Sequence, residues 1–113
     1  MGNEIANQGE ILLYSDESGK EFINVVFKDE TFWLTQKAMA ELFGCTPENV
    51  LQHLKNIYAE EELNLNATTK KFLVVRREGS RDVQRSIDHY NLDAIIAVGY
   101  RVNSRKATRF RQW

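Results

Sequence analysis

The chain has 113 residues, 42% hydrophobic and 11% aromatic, with a formal net charge of −1. That is enough apolar material for one domain with one core, and it excludes a disordered polar tail. A single cysteine, Cys45, excludes an intrachain disulfide framework and a multi-cysteine zinc site.

The N-terminus has no basic segment leading into an apolar core, so it does not read as a signal peptide. Ala6 stands where a myristoylation pattern needs Ser or Thr. No apolar run approaches the roughly 20 residues of a membrane helix. The expectation is a cytoplasmic protein with no membrane segment. Charge is distributed unevenly. Residues 1–66 hold 12 acidic and 4 basic side chains, whereas residues 67–113 hold 4 acidic and 11 basic. Such asymmetry points to a polyanionic partner, with mutual neutralisation of the two halves as the plain alternative.

Residues 1–8 carry no pattern and are expected to be disordered. "EILLYS" (10–15) and "EFINVVFK" (21–28) are strand-rich runs flanking the turn chemistry of "DESGK", which predicts a hairpin. "DETFWL" extends it with a short third strand, placing Phe32 and Trp33 on opposite faces. Thr35 is an N-cap for a helix whose Met39, Leu42 and Phe43 recur at helical spacing, and Gly44 ends it. Thr46 caps a second helix with Pro47 at its first position. Val50, Leu51, Leu54, Ile57 and Tyr58 form the apolar stripe of that helix, which is expected to end near Glu60. "KKFLVVRR" (70–77) and "RDVQRSIDHY" (81–90) predict a second hairpin across "EGS". Asn91 caps a helix with Leu92, Ile95 and Ile96 facing inward. Ser104 caps a last helix with Ala107, Phe110 and Trp113 on its apolar side. A helix that stops with Trp113 still facing a core suggests the N-terminal fragment of a longer protein. Residues 9–113 are thus expected to form a single α+β domain: small antiparallel hairpins, a helix-turn-helix of winged-helix-like type, and two C-terminal helices.

"LTQKAMAELFGCTPENVLQHL" (34–54) has the spacing of a DNA-reading helix-turn-helix. Ala40 lets the helices touch, Gly44 makes the turn, and Val50 and Leu54 anchor the second helix. His53 departs from the pattern, where an apolar residue is usual. A plain helical hairpin packed on a sheet would have the same outline. Thr46, Asn49, Gln52 and Lys55 are the candidate groove contacts, because short polar side chains near the start of a recognition helix reach base edges. Gln36, Arg76, Arg77, Arg81, Arg105 and Lys106 are the candidate phosphate contacts. No nucleotide loop, serine elbow or paired carboxylate motif occurs, and His53 and His89 lack partners at metal-ligand spacing. The reading therefore carries no catalytic residue, metal or cofactor.

The stretches "FWLTQKAMAELFG", "NVLQHLKNIYAEEEL" and "YNLDAIIAVGYRVNSRKATRFRQW" resemble the RhuM family of bacterial virulence-associated proteins, from about Val25 onward. The resemblance implies a bacterial protein longer than this chain, of a kind often encoded near mobile or pathogenicity regions. The order of elements, closing on the basic "RKATRFRQW", is also similar to the Bro-N domain of phage antirepressors and viral DNA-binding proteins. That likeness implies that Arg105, Lys106, Arg109 and Arg111 lie near nucleic acid or a domain junction. The expected partners are double-stranded DNA, a second copy in a homodimer, and the C-terminal region of the same protein. The competing expectation is a protein-interaction or oligomerisation module whose helix-turn-helix is only scaffold.

Overall fold

The computed structural model describes residues 4–5, 9–15 and 22–112. Among them run strands β1 (Glu4–Ile5), β2 (Gly9–Ser15), β3 (Phe22–Lys28) and β4 (Thr31–Thr35), then helices α1 (Gln36–Phe43), α2 (Pro47–Ala59) and the single turn α3 (Leu65–Thr68). Strands β5 (Thr69–Glu78) and β6 (Arg81–Asn91) follow, with α4 (Leu92–Arg101) and α5 (Arg105–Gln112) last. The strands form one antiparallel sheet in the order β1-β2-β3-β4-β6-β5, so the chain is α+β. The "DESGK" turn and Trp113 lie outside the described residues.

The position of β4 organises the molecule. It joins the first hairpin through Val26↔Trp33 and the second through Trp33↔Asn91 to Thr35↔His89. Successive strand residues point to opposite faces. Leu34 therefore enters the helix-packed core with Met39, Phe43, Val50, Leu54, Ile57, Ile95 and Val98. Trp33 turns the other way, to Val26 and Phe72. Its ring meets Phe72 edge-on at 5.7 Å, and its indole N–H donates to the Lys28 carbonyl at 3.0 Å. Burying each large side chain of the main core contributes about 1.5–3 kcal/mol, which is what holds four short helices on one sheet face.

Each long helix starts on a polar side chain that accepts from a free amide. Thr35 accepts from Ala38 N at 3.0 Å, Thr46 from Asn49 N at 3.1 Å, Asn91 from Ala94 N at 3.2 Å and Ser104 from Ala107 N at 3.0 Å. Gly44 closes α1 in the left-handed region, φ 68°. Two apolar side chains depart from the expected faces. Leu51 and Ile96 are exposed, because α2 turns Val50, Leu54 and Ile57 inward and α4 turns Ala94, Ile95 and Val98 inward. The α4 backbone also runs too close to α1 to admit a bulkier face. A Cβ on Gly99 would stand 3.0 Å from the Phe43 ring.

Candidate nucleic-acid interface

Three elements meet at the start of α1. The Gln36 amide donates to the Pro47 carbonyl at 2.7 Å, tying the first turn of α1 to the first turn of α2. Opposite them stands the β5–β6 hairpin. Between the two lies a groove of about 490 Å³ lined by Thr35, Gln36, Lys37 and Pro47 on one wall and Lys71, Arg76, Asp88 and Tyr90 on the other. A second cleft, of about 310 Å³, shares Thr35, Lys37, Arg76 and Ile87 with the first. Lys37 and Arg76 thus stand on the ridge between two hollows. The first turn of α1 holds no acidic residue, so its partial positive end is unopposed from within the helix.

The far end of α1 brings in α5. Ser104 donates its hydroxyl to the Phe43 carbonyl while accepting from Ala107 N, so one side chain closes α1 and opens α5. The Lys106 stem then lies over the Gly44 turn, with its Cδ 3.1 Å from where a Cβ would stand. Ala107 is fully buried and Phe110 meets Phe43 edge-on at 5.1 Å, which fixes α5 against the α1–α2 corner.

The ten sequence candidates therefore divide. Gln36 and Arg76 line the groove; Thr46 caps α2, and Lys106 lies over the Gly44 turn at the far end of α1. Asn49, Gln52 and Lys55 follow on the exposed side of α2, where Gln52 donates to Asn56 at 3.2 Å. Arg105 is exposed at the first position of α5. Arg77 and Arg81 are further out, near the hairpin turn, and Arg77 is bound to Asp82 at 3.1 Å. Lys37 was not singled out from the sequence. A lysine in the first turn of an amphipathic helix carries no local signal, and only the fold sets it beside Arg76.

Ion pairing decides which cations remain available. Arg101 spans Glu60 and Glu62 at 2.9 and 2.7 Å, and Lys70 meets Asp29 at 3.0 Å, so part of the acidic half is neutralised by the basic half. Lys71–Asp88, Arg77–Asp82 and Arg85–Glu78 are pairs within residues 67–113. The Arg85 hydrogen bonds hold the Glu78 carboxyl below its usual range. Among the described residues, no ion pair includes Lys37, Lys55, Arg76, Arg81 or Arg105. His89 is buried under the Phe72 ring at 4.9 Å with Nδ1 2.9 Å from the Ile87 carbonyl, and desolvation pushes its pKa down. His53 is also shifted down, by desolvation and then by Arg101. Burial pushes the Cys45 thiol up, away from the reactive thiolate.

No helix among the described residues is long and apolar enough to cross a membrane. Nor do they hold a group of three or more His, Cys, Asp or Glu side chains arranged for a metal. No curated protein and no solved structure gives a significant match to the chain. The closing segment is different. Residues 67–113, which span the basic hairpin, α4 and α5, match the model of the virulence protein RhuM family.

Proposed function

We propose that this domain binds double-stranded DNA, with the α1–α2 corner presented to a groove and the basic hairpin and α5 set against phosphates. The observation that carries the reading is the groove between the α1–α2 corner and the hairpin. It holds Lys37 and Arg76, which form no ion pair among the described residues, beside the N-terminal end of α1, whose first turn has no acidic residue. Two cations and a helix start facing one hollow form a natural cradle for phosphate oxygens. Thr46, Asn49 and Gln52 continue from it along the exposed side of α2, where side chains of that length reach base edges. The acidic run Glu60–Glu62 lies at the other end of α2, and Arg101 covers Glu60 and Glu62. The domain thus works as a helix-turn-helix with a wing, a layout shared with Bro-N domains, in a virulence-associated protein of bacterial cytoplasm.

The test is a titration of labelled duplex at several salt concentrations, comparing the wild-type chain with Lys37→Glu/Arg76→Glu. Both side chains are exposed and form no ion pair among the described residues, so the variant is expected to fold as the wild type does. Binding that steepens as salt falls, and drops at least about tenfold in the variant, supports the reading. Absence of binding at low salt, or equal binding by the variant, refutes it.

A further inference from the structure

We propose that Arg81, at the tip of the β5–β6 hairpin, is a minor-groove probe that gives the domain a preference for A·T-rich duplex. The proposal rests on the DNA-binding reading above. β4 pairs with β6 only from His89 to Asn91. The rungs from Lys71↔Asp88 to Glu78↔Arg81 are paired strand to strand within the hairpin alone. At about 3.4 Å per residue, those rungs make the ribbon roughly 24 Å long. Every residue from Val75 to Asp82 is exposed.

Two ion pairs neutralise part of the charge near the tip. Arg77 is held by Asp82, and Arg85 grips Glu78 through two hydrogen bonds of 2.7 and 3.0 Å. Glu78 is thereby drawn back along the ribbon, toward the rung of Arg85 and Val74. The turn itself is Gly79, at φ 64°, and Ser80, neither of which has reach. Arg81 is left as the one long, unpaired side chain at the tip, among the described residues. It lies on the same ribbon face as Arg76, since Arg76 pairs with Val83 and Arg81 stands two residues before Val83.

The geometry of a duplex then selects where such a group acts. A two-stranded ribbon fits a major groove about 12 Å wide and is excluded from a minor groove about 6 Å wide. A single arginine is not excluded. Narrow A-tract minor grooves concentrate negative potential and attract inserted arginines, whose guanidinium sheds water more readily than an ammonium. A cation resting on phosphates outside the groove would add affinity evenly across sequences.

The experiment titrates two labelled duplexes of equal length, one with a central A-tract and one with G·C pairs in its place, against the full chain. Wild type is expected to favour the A-tract duplex by at least about fivefold, the small end of discrimination for one base pair. Arg81→Ala is expected to lose that preference while keeping its affinity for the G·C duplex to within about threefold. Arg81→Lys should recover only part of it, and Arg77→Ala/Asp82→Ala should leave it intact. Equal binding of the two duplexes by wild type, or a preference that survives Arg81→Ala, overturns the minor-groove role alone. Failure to bind either duplex overturns the DNA reading together with it.

Discussion

His89 illustrates what one buried residue can report. It packs edge-on against Phe72, its Nδ1 engages the Ile87 carbonyl, and desolvation lowers its pKa from the ordinary 6.5. Asp88 beside it pulls the other way, as does the Ile87 contact, but burial dominates. In the unfolded chain the ring takes a proton near pH 6.5, while in the folded chain it resists until lower pH. The contribution of neutral His89 to stability is therefore complete above pH 6.5 and is lost as pH falls toward the lowered folded value. One such proton gives a slope of at most about 1.4 kcal/mol per pH unit. His53 shifts in the same direction, so the expected observation is a difference. Denaturant midpoints of wild type should fall from pH 7 to 5.5 more steeply than those of His89→Phe. Parallel curves for the two proteins would mean that His89 titrates normally.

At the scale of elements, Ser104 joins two helices that are far apart in sequence. Its hydroxyl caps α5 and reaches the last carbonyl region of α1 at Phe43. Removing a serine cap costs about 0.5–2 kcal/mol, and losing a buried partner adds about 1 more. Ser104→Ala is expected to lower stability by about 1–3 kcal/mol and to speed amide exchange in α5 before the rest of the domain. A change below about 0.5 kcal/mol would show that Ala107 and Phe110 hold α5 without it. Such caps are the part of this fold most legible in the chain. Thr35, Thr46, Asn91 and Ser104 each precede an apolar helical period, and Gly44 marks a turn that needs positive φ. Helix α3 left no trace, because its four residues are too few to show a period. Leu51 and Ile96 sat at the margins of their stripes, where a hydrophobic side chain fits either assignment. The pairing of β4 with β6 joins segments more than 50 residues apart, and no local pattern encodes it. The same long-range step hid Lys37. Its partner across the groove, Arg76, was visible only as one of several arginines.

For the whole molecule, the proposed DNA binding turns on how many of its positive charges can release counterions. Half-chain totals suggested a strongly basic C-terminal region, yet Lys70, Lys71, Arg77, Arg85 and Arg101 are all engaged by carboxylates. A cation already neutralised by a neighbour adds little to the salt dependence of binding, whereas an unpaired one that meets a phosphate adds about 0.9 to the slope of log affinity against log salt. Arg76 and the Arg77–Asp82 pair occupy successive rungs of the same hairpin, on its opposite faces, and allow a free charge to be compared with a neutralised one. Arg76→Ala is expected to reduce the slope by about 0.9, because a free charge leaves the interface. The charge-neutral pair of changes Arg77→Ala/Asp82→Ala is expected to leave the slope unchanged within error, although it alters more atoms. Salt titrations of wild type and both variants on one duplex decide the matter. If the double variant loses as much slope as Arg76→Ala, Arg77 exchanges Asp82 for a phosphate on binding, and the ion pairs of the free domain are a reserve of contacts instead of spent charge.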